Sequence, residues 1–298
     1  MVLMFSVVAK RAVTVLVAAW MLTGCGSSNT PARPKPLNGP MKVVAAIYPL
    51  AYAAERIGGE NVTVLTLAAT GVEPHEQELT AKQVGAVELA DVVVYVKGLA
   101  GAVDAAVSQS SAVVVDALAA VGSGKRANDP HLWLNPLRLV EVGAALATNF
   151  SKVDPTHAAN YQARARAFTS DLTHLDADIK SETKSCANRL LVTTHTSLGY
   201  FASRYGFRQV SVLGADPESE PTPATLARII KFVKTNNITT LYGEVGHTSK
   251  ALNTVAKETG AVVRLLQTLE APPLGTDYPS AMRENAAVVV AGQKCGQP

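Results

Sequence analysis

The chain has 298 residues, of which 48% are hydrophobic and 17% charged, and its formal net charge is +3. So small an excess makes no electrostatic case for nucleic acid, and the apolar share favours a packed core over a disordered chain. Aromatic residues make up 5%, too few for a platform that stacks bases or sugars.

Met1 to Gly24 holds no acidic residue, a basic pair at Lys10-Arg11 and an apolar run from Ala12 to Leu22. This is the layout of a secretory signal, and the run is shorter than the about 20 apolar residues a spanning helix needs. Leu22-Thr23-Gly24-Cys25 resembles the lipobox of bacterial lipoproteins, so Cys25 is the expected lipid attachment site. Residues 25–40 are rich in Gly, Ser, Asn and Pro and read as a flexible tether. Removing residues 1–24 takes away Lys10 and Arg11 and leaves a net charge of +1.

From Met41 onward the chain alternates. Strands are expected at Lys42–Ile47, Val62–Leu67, Asp91–Val96 and Ala112–Val115, with helices at Leu50–Ile57 and Thr80–Leu89 and from Asn135-Pro136 to about Phe150. Val-rich strands separated by helices indicate a parallel sheet covered on both faces. Asp154-Pro155 combines an N-cap with a proline at the first helical position. The helix it predicts runs to about Lys184 without Gly or Pro, roughly 45 Å at 1.5 Å per residue. That length suits a link between two lobes. The alternation then resumes with strands at Arg189–Thr194, Gln209–Leu213, Thr239–Gly243 and Ala261–Leu266. Helices follow them at Leu198–Tyr205, Pro223–Asn236, Ser249–Thr259 and Pro279–Ala291. The expected fold class is α/β: two doubly wound parallel-sheet lobes, 41–152 and 186–298, joined by a rigid helix over 153–185.

In such sheets ligands bind beyond the carboxyl ends of the strands. His75 follows the second strand, His131 lies in the polar loop after the fourth, and His195 directly follows Arg189–Thr194. Glu244 directly follows Thr239–Gly243, and Glu270 comes just after Ala261–Leu266. Neutral imidazole is the commonest ligand of a borderline metal, so three histidines on one edge predict a metal held between the lobes. Glu73, Glu76 and Asp129 stand beside them as candidates to contact the metal or to orient the imidazoles. His247, three residues past Glu244, is a further candidate for either role or for the surface. His157 and His174 fall on the long helix and are expected to be solvated. Cys186 and Cys295 form an even pair in an oxidising compartment, for which a disulfide is the default reading and two separate thiols the alternative.

Several segments together resemble one family, the zinc- and manganese-specific solute-binding lipoproteins of bacterial ABC transporters, in its zinc-binding subgroup. They are Gly71-Val-Glu-Pro-His-Glu76, Asp129-Pro-His-Leu-Trp-Leu-Asn-Pro136, Thr194-His-x-x-x-Gly-Tyr-Phe201, Glu220-Pro-Thr-Pro223 and Tyr278 to Asn285. The resemblance spans essentially all of the chain after the signal. It implies one metal in the cleft between two α/β lobes, with His75 and His131 from the first lobe and His195 from the second. The fourth position, a carboxylate in the family, corresponds to Glu270; Asp277, Glu73 or water are the alternatives. It also implies an extracytoplasmic monomer, anchored to the cell membrane through Cys25, that delivers Zn2+ to a permease served by a separate ATPase subunit. Zn2+ is expected over Mn2+, because manganese binders of the family carry Glu where this chain has His195. The family's zinc importers often hold a His- and Asp-rich loop before the second ligand, and Val121 to Asn128 is short and has no His.

Two other classes fit parts of the pattern. Three histidines with an open position also describe a catalytic zinc, but the chain has no His-Glu-x-x-His helix, no nucleophile elbow and no phosphate-cradling glycine loop. An enzyme is therefore not expected. A surface adhesin using the lobes as a scaffold is the second alternative.

Overall fold

The structure, a computed structural model, describes residues 39–68, 74–122, 129–214, 220–247 and 249–296. The expected signal, Cys25 and the tether up to residue 38 lie outside the described residues, as do Glu73 and positions 123–128.

The first half of the chain is β1 (Met41–Ala45), α1 (Tyr48–Gly58), β2 (Val62–Thr66), α2 (Ala81–Glu88), β3 (Val92–Tyr95), α3 (Gly101–Gln109), β4 (Val113–Asp116) and α4 (Ala117–Val121). Its strands pair in parallel in the order β2-β1-β3-β4. Every residue of β3 is buried, as a strand covered on both faces requires. The side-chain alternation of a strand sorts that burial between two layers. Val92 and Val94 join the large core with α1 and the helix Pro136–Val153, whereas Val93 and Tyr95 pack with Val87, Val103 and Val107 from α2 and α3.

The second half repeats the plan with β5 (Leu190–Thr193), α7 (Gly199–Tyr205), β6 (Arg208–Ser211), α8 (Pro223–Thr235), β7 (Thr240–Glu244), α9 (Lys250–Thr259), β8 (Val262–Leu266) and α10 (Tyr278–Gly292). Its sheet is also parallel, ordered β6-β5-β7-β8, so the strands of both sheets follow one topology. The two α/β lobes are therefore those the alternation predicts.

Between them lie α5 (Pro136–Val153) and α6 (Ala158–Glu182). Asn135 caps α5 by accepting from the Leu137 amide at 3.1 Å, with Pro136 in the first turn. The long helix differs from expectation at its start. Asp154 does not cap it: its carboxylate accepts from His157 Nδ1 at 2.6 Å and from the Tyr161 hydroxyl at 2.7 Å. These bonds occupy the carboxylate, the chain passes through a 3-10 turn at Pro155–His157, and α6 spans 25 residues, about 37 Å. His157 is accordingly hydrogen-bonded to Asp154 rather than simply solvated, while His174 is exposed.

α6 packs on α1 and α5 and, further along, on α10. The approach to α5 depends on Gly143, where a Cβ would lie 2.9 Å from the Phe168 ring. Toward its other end Asp176, itself buried, takes a two-pronged bond from Arg204 of α7, with Nε at 2.6 Å and Nη2 on the second oxygen. A paired buried charge of this kind is costly to break from one side, so α6 is fastened to both lobes. A disulfide joins Cys186, just after α6, to Cys295, just after α10.

Candidate metal centre

Both sheets reverse their strand order beside the first strand of the lobe, and the carboxyl edges at those points carry the candidate residues. His75 sits in a 3-10 turn, Pro74–Glu76, beyond β2. His131 comes immediately before the 3-10 turn Leu132–Leu134 that leads into α5, with α4 between it and β4. His195 is two residues past the end of β5, Glu244 is the last residue of β7 rather than the first beyond it, and Glu270 follows β8.

His75, His131 and His195 converge: one ligand nitrogen from each lies within 4.8 Å of the other two. The Nε2 atoms of His75 and His131 are 3.3 Å apart. His131 and His195 are buried and His75 is partly so. The trio draws two histidines from the first lobe and one from the second.

Two of the rings are held by carboxylates. His195 Nδ1 donates to Glu244 Oε1 at 2.6 Å, and His131 Nδ1 donates to Asp129 Oδ1 at 3.0 Å. Each bond keeps the proton on Nδ1 and leaves Nε2 with the lone pair, the tautomer a metal needs. Asp129 also accepts from the His131 amide at 3.1 Å, a local turn that fixes the backbone of the same residue. The His195 carbonyl is gripped by Thr193 Oγ1 at 2.7 Å and Gln209 Nε2 at 2.9 Å.

Glu270 stands beside the trio, with Oε1 3.8 Å from His131 Nε2. It is buried, and burial pushes its carboxyl above the ordinary carboxylate range, opposed in part by the neighbouring His131. A cavity of about 360 Å3 opens next to it, lined among others by Pro74, His195, Glu244, His247 and Glu270.

The remaining candidates separate cleanly. Asp277, considered as a fourth donor, is exposed and caps α10: its carboxylate accepts from the Ser280 amide at 3.0 Å, and hydrogen bonds from the Ser280 hydroxyl and then from that amide hold it below its usual range. A side chain committed to a helix N-terminus in this way serves the helix instead of the trio. His247 is exposed on the cavity rim, and its amide donates to the Glu244 carbonyl at 3.2 Å in a single bridge after β7. Glu76 lies in the His75 turn, and Glu73 is outside the described residues.

Three residues near the trio were not singled out by sequence reasoning. The Trp133 ring lies 5.3 Å from that of His131, fully buried. Its indole Nε1 donates to the Thr268 carbonyl at 2.7 Å, and the Tyr278 hydroxyl donates to the Trp133 carbonyl at 2.6 Å. Tyr48, at the start of α1, donates its amide to the Glu270 carbonyl at 2.9 Å. Trp133 belongs to the Asp129 to Pro136 motif, which was the available signal; Tyr48 carries none.

The high-affinity zinc uptake system protein ZnuA of Bacillus subtilis (strain 168) is 28% identical over 298 residues, covering 91% of this chain and 93% of its own. The zinc-binding protein AdcA of Streptococcus pyogenes serotype M1 is 29% identical over 282 residues, and there the chain spans 55% of the relative's length. Among solved structures, the laminin-binding protein Lmb of Streptococcus agalactiae, described as bifunctional with adhesin and metal transporting activity, superimposes with a TM-score of 0.79 at 29% identity. That match covers 85% of this chain and 99% of Lmb. Residues 43–292 match the family model described as ZnuA, zinc-uptake complex component A, periplasmic, and the chain belongs to that family.

Proposed function

We propose that this chain is an extracytoplasmic receptor that captures Zn2+ in the cleft between its two lobes and delivers it to an ABC permease for import. His75, His131 and His195 supply nitrogen donors and Glu270 the fourth, a carboxylate oxygen. The observation that carries this reading is the convergence of the trio. Zinc–nitrogen bonds of about 2.05 Å at tetrahedral angles put the donor atoms about 3.3 Å apart, and His75 and His131 Nε2 are 3.3 Å apart. Glu270 at 3.8 Å from His131 needs a shift of about half an ångström to complete the tetrahedron.

Three imidazoles and one carboxylate favour zinc over manganese, which takes sites richer in oxygen. Four protein donors close the coordination sphere and leave no position for an activated water, so the site binds and does not catalyse. Glu244 and Asp129 act on the metal through the imidazoles they hold. The zinc-uptake and zinc-binding descriptions of the Bacillus and Streptococcus relatives support the same cargo. Cys25 is the lipid anchor that keeps a monomeric receptor at the outer face of the cell membrane, with residues 41–152 and 186–298 as the two lobes. The permease and its ATPase are separate subunits.

Metal analysis of protein purified without chelator, followed by zinc–manganese competition calorimetry, tests this function. One tightly held zinc per chain, weakened at least a hundredfold in His131→Ala and shifted toward manganese in His195→Glu, is the expected result. Zinc binding that survives His131→Ala unchanged would remove the metal from this cleft.

A further inference from the structure

Glu270 belongs by sequence to the second lobe, yet the groups that hold its backbone come from the first. The second lobe's grip on this segment reaches Gln267. Asn285 of α10 accepts from the Gln267 amide at 2.8 Å and donates to its carbonyl at 2.7 Å. Beyond that point the partners change. Trp133 Nε1 holds the Thr268 carbonyl and the Tyr48 amide holds the Glu270 carbonyl, at 2.7 and 2.9 Å. Between these two grips Leu269 is buried with φ of +66°, a left-handed conformation that a branched side chain rarely adopts without external restraint. The Trp133 carbonyl is in turn anchored by the Tyr278 hydroxyl, and the Tyr278 ring stacks on Tyr52 of α1 at 5.5 Å.

We propose that Trp133 and Tyr278 are positioning residues for the fourth metal donor: the 268–270 turn is an interlobe latch that presents Glu270 to the cation only while the first lobe grips it. The inference rests on the reading of Glu270 as a zinc ligand and adds how that ligand is controlled. Trp133 is two residues from His131, with the rings 5.3 Å apart, so the turn that carries one donor also holds the backbone beside the other. A shift of the 268–270 turn away from the first lobe breaks the Trp133 and Tyr48 bonds together. Leu269 then relaxes from its left-handed conformation, Glu270 turns away, and the cation is left with three imidazoles. Release is thereby tied to loss of one donor, without wide opening of the cleft.

The test uses the mature chain loaded with Zn2+ or with Co2+, whose visible spectrum reports donor number. Zinc release to excess chelator is timed in wild type, Trp133→Phe, Glu270→Ala and the double variant. Removing the indole N–H while keeping a ring should speed release about tenfold, the range of an outer-shell partner, and move the Co2+ spectrum in the direction that Glu270→Ala does. In the Glu270→Ala background, Trp133→Phe should change release less than twofold, because the latch has nothing left to position. Equal acceleration in both backgrounds would mean that Trp133 acts through general packing and would overturn the latch alone. A Co2+ spectrum unaltered by Glu270→Ala would take the carboxylate off the metal and the latch with it. Should Trp133→Phe fail to fold, Tyr278→Phe, which deletes only the hydroxyl on the Trp133 carbonyl, must show the same non-additivity.

Discussion

Replacing Glu244 by Gln separates charge from shape at the imidazole of His195. The Glu244 side chain is 9% exposed and its oxygen lies 2.6 Å from His195 Nδ1. A short bond to a charged acceptor, shielded from water, is about twice as strong as a neutral one, and Gln keeps the size while removing the charge. Outer-shell partners of this type contribute 10- to 100-fold to metal affinity, or about 1.4 to 2.7 kcal/mol. Glu244→Gln should fall in the upper part of that range. Asp129→Asn provides an internal comparison. Its oxygen is further from the ring, at 3.0 Å, and its side chain is 16% exposed, so the loss should lie in the lower part. Zinc affinity by chelator competition at pH 7.5, on variants with wild-type circular dichroism, measures both. A Glu244→Gln affinity within twofold of wild type, or a larger loss in Asp129→Asn, would refute the reasoning that burial and distance rank the two carboxylates.

Zinc affinity should fall steeply between pH 7.5 and 5, because each of the three imidazoles must be unprotonated to bind the metal; titration calorimetry across that range checks it, and a flat profile contradicts it. Glu270 makes the metal-free protein pH-sensitive in its own way. Its folded carboxyl is raised above the ordinary 4.5 by burial, so the stability it contributes is full below that value and is lost as pH rises through the raised one. Glu270→Gln should therefore flatten the fall of Tm with rising pH in chelator, and a variant curve parallel to wild type would show that the carboxyl stays ionised. Reducing the Cys186–Cys295 bridge, which closes a loop with a sequence separation of 109, forfeits at most about 5 kcal/mol. At roughly 2–4 °C per kcal/mol the Tm should drop by no more than about 20 °C, and an unchanged Tm would indicate that the bridge constrains nothing.

Most of the fold was legible because its strands announce themselves. Runs such as Val92–Tyr95 are apolar at every position, and only a strand covered on both faces has a use for that. The elements that escaped notice lack start signals. α3 begins at Gly101 after Ala100, with no capping side chain, and α4 is five residues long and capped by Asp116, itself the last residue of β4. At α6 the signal was present and misleading. Asp154-Pro155 has the composition of a helix start, but His157 and Tyr161, three and seven residues on, compete for the same carboxylate and win it. A local rule fails where a neighbour one or two turns away offers a better hydrogen bond.

The site divides along the same line between local and long-range causes. Each histidine of the trio could be found because it follows a strand of its own lobe, a relation contained within a few dozen residues. Strand pattern put Glu244 and Glu270 on the same edge without ranking them, and only the family resemblance gave Glu270 the fourth position; which carboxylate reaches His195 Nδ1 across 49 residues and which lies against His131 is set by the fold. The grip on the Glu270 turn is more remote still: Trp133 meets Thr268 across 135 positions and Tyr278 meets Trp133 across 145. Sequence pattern specifies what each lobe can offer, because periodicity and caps act within a helix or a strand. What the lobes do to one another is set only once both sheets and α6 are in place. The residues that govern release of a cargo from such a cleft should accordingly be sought among buried aromatic groups bridging the lobes, where no motif marks them.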